Sequence, residues 1–101
     1  MTDAKVAAQL IVSGWVQMVG YRMWTTRTAK ALGVTGWVRN LDDGRVEMFA
    51  EGTPAALDAL QAACARGPQH AQVEGVVRAE RAPRDLVDFV QVPDGRAPEA
   101  A

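Results

Sequence analysis

The run VSGWVQMVGYR, residues 12–22, carries the residues of this chain best placed to do chemistry. An apolar stretch leads into a loop opened by Gly14 and closed by Gly20, and Arg22 follows where a helical pattern begins. A loop feeding a helix N-terminus points free backbone N–H groups outward, the helix dipole adds partial positive charge, and glycine lets a ligand approach the backbone closely. Arg22 would supply the one full charge, so the run reads as an anion cradle. The same spacing also fits an ordinary strand-to-helix turn followed by a solvated arginine, because short glycine motifs arise readily by chance.

The remainder of the composition narrows what that cradle could serve. With 101 residues the chain has room for one core and one domain. Its net charge of −1, from 11 basic and 12 acidic residues, offers no field to recruit nucleic acid or an anionic membrane, so anion binding must be local. The apolar runs fall well short of the roughly 18 to 20 residues that span a bilayer, and MTDAKVAAQLIVSG lacks the layout of a secretion signal. The chain is therefore expected to be cytoplasmic. A lone Cys64 cannot form an internal disulfide, and with a lone His70 it makes no recognised metal-ligand spacing, so no metal and no cofactor are expected.

Periodicity supplies the elements that must hold the loop. Residues 6–13 alternate as a strand with Val6, Ala8, Leu10 and Val12 on one face. From Tyr21 to Leu32 a helix is predicted, ended by Gly33. Residues 35–41 and 45–51 are β-prone runs joined by Asp42, Asp43 and Gly44, a hairpin signal because glycine accepts the positive φ of the turn. In the second run Val46, Met48 and Ala50 share a face opposite Glu47, Phe49 and Glu51, as suits a sheet covered on one side. Thr53 and Pro54 open a second helix, with Leu57, Leu60, Ala63 and Cys64 inward, and Gly67 and Pro68 stop it. A fourth strand is predicted over 71–80, with Val73, Gly75, Val77 and Ala79 on one face, and a last one over 87–92. The order β-α-β-β-α-β predicts an α+β, ferredoxin-like split βαβ fold, an antiparallel sheet with two helices on one face. Residues 1–92 form one domain in this reading, and 93–101, rich in proline and poor in apolar anchors, form a flexible tail.

With these elements in place, two segments resemble the signatures of the acylphosphatase family, small enzymes that hydrolyse acyl phosphates. GWVQMVGYR at 14–22 is similar to G-x-V-Q-G-V-x-[FY]-R, and GWVRNLDDGRVE at 36–47 is similar to G-[WYF]-V-x-N-x-x-D-G-x-V-E. Both occur in order on a matching length and fold, and the resemblance spans roughly residues 6–92. It implies that Arg22 binds the substrate phosphate, that Asn40 positions the attacking water, and that the backbone of Gly14, Trp15, Val16, Gln17, Met18, Val19, Gly20 and Tyr21 forms the binding loop. Met18 departs from the family pattern, which has glycine there. If the position requires φ > 0, methionine strains the loop by roughly 1 to 2 kcal/mol.

The implied reaction suits these groups. A carboxylate leaving group, of pKa near about 4.3 as the acid, departs at neutral pH without a proton donor, so the site must mainly hold the phosphoryl group and aim a water. Guanidinium grips two phosphate oxygens at once, and an amide donates and accepts without titrating. Asn40 also fits the bland role of ending a strand before the Asp-Asp-Gly turn. The resemblance implies a small acyl phosphate as substrate, with inorganic phosphate or sulfate competing, and neither nucleic acid nor membrane as partner. A monomer is expected. The alternative reading is a sensor domain that binds phosphate or acyl phosphate on the same fold without turning it over.

Overall fold

The computed structural model describes residues 4–93. Strands β1 (Val6–Trp15), β2 (Thr35–Asn40), β3 (Val46–Gly52), β4 (Gln72–Arg81) and β5 (Phe89–Gln91) alternate with helices α1 (Tyr21–Ala31) and α2 (Pro54–Arg66) in the predicted order. They form one sheet in the order β4-β1-β3-β2-β5. Strands β1 to β4 are antiparallel as expected, while β5 joins β2 in parallel and makes the sheet mixed. The expected flexible tail lies, from residue 94, outside the described residues.

Strand direction is what assembles the functional end. Both β1 and β2 run antiparallel to β3, so they point the same way, and β3 aligns them: Val46 faces Val12 on one side and Asn40 on the other. A right-handed crossover through α1 connects two such strands. Because β5 runs parallel to β2, with Val38 opposite Gln91, its C-terminal end also arrives there. The loop after β1, Asn40 and residues 91–92 therefore meet at one end of the sheet.

The main core lies between sheet and helices, where Leu10, Val12, Val38, Met48, Leu57 and Leu60 are buried together. Tyr21, Thr25 and Ala29 of α1 are buried against the sheet, and so are Leu57, Leu60, Ala63 and Cys64 of α2, the face that periodicity placed inward. Thr53 caps α2 by accepting from the Ala56 N–H at 3.1 Å. The Tyr21 hydroxyl donates to the Cys64 carbonyl at 2.8 Å, tying the start of α1 to α2. Burial raises the Tyr21 phenol above its ordinary range and pushes the Cys64 thiol up to about 11, so both are neutral structural groups.

Two face assignments need correction. Strand β3 is buried on both sides rather than one. Ala7, Trp37, Phe49 and Val92 form a second, smaller cluster against Leu86, because the chain between β4 and β5 folds over the face away from the helices. Glu51, 1% exposed, makes that cover possible: its carboxylate accepts the Arg84 N–H and, at 3.1 Å, the Leu86 N–H. In β4 the register against β1 slips, with Ser13 opposite Gly75 but Gly14 opposite Val73. Glu74 is the extra residue of a bulge, and the side-chain alternation changes phase across it. Val76 packs against the core with Val73, and Val77, expected to share Val73's face, is 67% exposed.

Glu51→Ala leaves two backbone donors under the cover without their acceptor and should cost about 2 to 3 kcal/mol in urea unfolding. The same change should speed tryptic cleavage after Arg84 in the native protein, which would be unaltered if the cover were held by Leu86 and Val92 alone.

Candidate active site

Strand β1 runs through Gly14 to Trp15, so the loop proper is residues 16–20. Gly14 sits in the bulged pairing with β4, where a Cβ would come 2.2 Å from the Gln72 carbonyl oxygen. Its glycine is required for strand packing rather than for ligand approach. Val16 is 1% exposed and anchors the loop in the main core, with Val19 packed partly against the same cluster. Gly20 is the N-cap of α1 at φ 78 and offers no side-chain cap, while the first turn holds no acidic residue. The first helical bond runs from the Trp24 N–H to the Gly20 carbonyl, so the N-terminal turn of α1 directs the positive end of the helix dipole toward the loop.

Met18 adopts φ 63, the left-handed conformation that a glycine would hold without strain. The side chain that departs from the family pattern is therefore accommodated by strain in the loop, and the loop retains its turn. Gln17 does not turn its side chain toward the hollow. Its Nε2 donates to the Leu41 carbonyl at 2.8 Å and to the Arg45 carbonyl at 2.9 Å. These two carbonyls stand at the neck of the β2–β3 hairpin, where Leu41 N–H also bonds Arg45. One amide therefore staples the loop to the hairpin directly after Asn40.

Val16, Gln17, Met18, Gly20, Tyr21, Arg22, Met23, Asn40 and Gln91 line one hollow of about 210 Å³. Among the described lining residues Arg22 is the one formal charge. The Arg22 guanidinium is half-buried and its Nη1 donates to the Val92 carbonyl at 3.2 Å, which braces it from the end of β5. Of the loop residues expected in the site, Gly14 and Trp15 lie apart, lining a neighbouring hollow with Asp43, Arg45 and Glu74. Gln91 and Val92 went unnoticed in the sequence. A glutamine in a short apolar strand carries no signal until the strand's neighbour is known.

Arg39, beside Asn40, faces the other side of the sheet. There it is half-buried, paired with Glu47 at 2.8 Å and lying 5.9 Å from the Trp37 ring centroid. Trp24 packs on Tyr21 with ring centroids 5.4 Å apart, and Trp37 on Phe49 at 6.4 Å, so both serve packing. Cys64 is buried, while His70 is exposed and lines a hollow with Trp15 and Gln72. Among the described residues, no group of three or more histidine, cysteine or acidic side chains could hold a metal. No helix among them is long and apolar enough to cross a membrane.

Fold and site together define a ferredoxin-like α+β domain with a small hollow at a strand-to-helix loop, lined by Arg22 and Asn40. The acylphosphatase family model matches residues 8–90. The chain is 52% identical over 81 residues to the acylphosphatase of Marinobacter nauticus, covering 79% of this chain and 88% of that one. It is 44% identical over 88 residues to the acylphosphatase of Rhodopseudomonas palustris, covering 87% and 88%. Among solved structures, the acylphosphatase of Bacillus subtilis superposes with a TM-score of 0.85 at 35% identity, covering 87% of this chain and 99% of that one. The chain belongs to the acylphosphatase family.

Removing the staple with Gln17→Leu should cost about 1 to 2 kcal/mol in urea unfolding, since each carbonyl keeps one partner from the turn. Met18→Gly should stabilise the chain by up to about 1 kcal/mol, the relieved strain being partly offset by the added freedom of the unfolded glycine. A stability unchanged or lowered in that variant would show that the left-handed turn is not strained.

Proposed function

We propose that this protein is an acylphosphatase that hydrolyses the carboxyl-phosphate bond of small acyl phosphates, with Arg22 and the loop amides binding the phosphoryl group and Asn40 orienting the attacking water. The observation that carries the assignment of roles is the lining of one hollow by Arg22, Asn40 and the N-terminal turn of α1. A dianionic phosphoryl group there meets one guanidinium and the positive end of a helix dipole.

The step is an in-line displacement at phosphorus. Water oxygen forms the new P–O bond, the bond from phosphorus to the carboxyl oxygen breaks, and its electron pair leaves with the carboxylate. Guanidinium and amides take up charge on the phosphoryl oxygens, the chief service a protein can give to phosphoryl transfer. Asn40, at the end of β2, offers an amide that can accept from and donate to the water. Among the described lining residues none is a carboxylate or an imidazole, and in this reading the water's proton passes to the bound phosphate itself. The reading as a sensor without turnover is not favoured, since the relatives at 44% to 52% identity carry the name acylphosphatase.

The reading extends to inorganic phosphate or sulfate as competitive ligands, because each presents the oxygens that the cradle would hold. It also extends to a cytoplasmic monomer. A single buried free thiol is compatible with a reducing compartment, and sedimentation tests the monomer.

Hydrolysis of benzoyl phosphate in the presence of a chelator tests the central assignment. Arg22→Ala should lower kcat/KM by about 10²- to 10³-fold, and Arg22→Lys should recover little, because a point charge cannot grip two oxygens. Asn40→Ala should lower kcat by about 10²-fold with little change in KM. In the wild type kcat should be flat across the neutral range. A steep pH dependence traced to a protein carboxylate would sink the base-free step, and full activity in Asn40→Ala would sink its role.

A further inference from the structure

Two exposed methionines stand at the mouth of the hollow, on either side of Arg22 in the chain. Met18 is 100% exposed and Met23 is 53% exposed, and both line the same space as Arg22 and Asn40. We propose that Met18 and Met23 form an apolar lip that receives the acyl group, giving this enzyme a preference for uncharged aromatic or extended apolar acyl phosphates over acetyl phosphate. The inference rests on the acyl phosphate reading above and specifies the substrate class within it.

The geometry sets where the acyl group must go. Guanidinium and amides claim the phosphoryl end, and a hollow of about 210 Å³ open to solvent leaves the remainder of the substrate to cross its rim. Asn40 and Gln91 line the hollow with amides, while the exposed Met18 and Met23 supply apolar surface. Among the described lining residues Arg22, committed to the phosphate, is the one charged group, so the surface these residues offer an acyl body is uncharged.

Each methionine is held in place by its backbone or its neighbour. Met18, at φ 63, is carried by a left-handed residue in a loop pinned on one side by buried Val16 and on the other by the start of α1. Glycine or asparagine would meet that conformation more easily and leave the rim polar or bare. Met23 lies one position beyond Arg22 on α1, and Arg27 Nη2 approaches its sulfur at 3.4 Å from the next turn. An unbranched thioether moulds itself to varied apolar shapes and makes favourable contact with aromatic rings. Trp15 faces the neighbouring hollow and is no part of this lip.

The test compares kcat/KM for benzoyl phosphate and acetyl phosphate in the wild type, Met18→Asn, Met23→Gln and the double variant. Asparagine tolerates the left-handed turn and glutamine preserves helix and length, so each removes mainly the thioether. Dividing each variant's benzoyl-to-acetyl ratio by that of the wild type cancels the intrinsic reactivities of the substrates and any change in the cradle common to both. The ratio should fall about threefold in each single variant and about tenfold in the double. Hydrolysis of both substrates with an unchanged ratio in the double variant overturns the lip alone. A folded wild type that hydrolyses neither substrate overturns the acyl phosphate reading, and the lip with it.

Discussion

The common direction of β1, β2 and β5 is the constraint on which the site depends. Because β3 lies between β1 and β2 and is antiparallel to both, the loop after Trp15 and the residue Asn40 must arrive at the same end of the sheet. The parallel pairing of β5 with β2 then delivers Gln91 and the Val92 carbonyl to that end, where the carbonyl holds Arg22. No one of these segments could assemble an anion site alone. A helix N-terminus offers only partial charge, and an exposed arginine is largely screened by water. Gathered in one hollow, they bring a guanidinium, an amide and a helix N-terminus around a common space in a chain whose own net charge is −1.

Hydrogen bonds across elements turn that convergence into a fixed geometry. Gln17 joins the loop to the hairpin neck beside Asn40, Tyr21 joins the start of α1 to α2, and Val16 seats the loop in the core. On the other face of the sheet Glu51 holds the cover that carries the chain from β4 back to β5. Positioning of this kind suits phosphoryl transfer, in which little covalent work falls to the protein and most of the rate comes from where fixed charges and dipoles point. Strain at Met18 fits the same picture, since a non-glycine residue at φ 63 persists only where the surrounding structure over-determines the turn.

Much of this was legible in the residues. Strand and helix periodicity located every element, since the apolar face of each helix and the Asp-Asp-Gly turn are local properties. Arg22 and Asn40 stood out through two motifs whose order and spacing matched one family, although Asn40 taken singly reads as a strand end. What failed to show was everything dependent on a neighbour. Burial of both faces of β3 follows from a cover that comes from a distant segment, and alternation alone reports just one buried face. The exposure of Val77 follows from a bulge, and one extra residue inverts a face without leaving a mark on local composition. Gly14, which looks like part of a ligand loop, is fixed by the backbone of Gln72 across the sheet.

The sequence by itself determined the element order, the fold class, the inward faces of the helices and the family, because these follow from short-range periodicity, turn chemistry and contiguous motifs. Only the tertiary structure decided which way the Gln17 side chain turns, which carbonyl braces Arg22, and which loop residues share a hollow with Asn40. Those are pairings between segments as far apart as Arg22 and Val92, set by strand direction and register. Periodicity along a single strand does not encode the register of its partner.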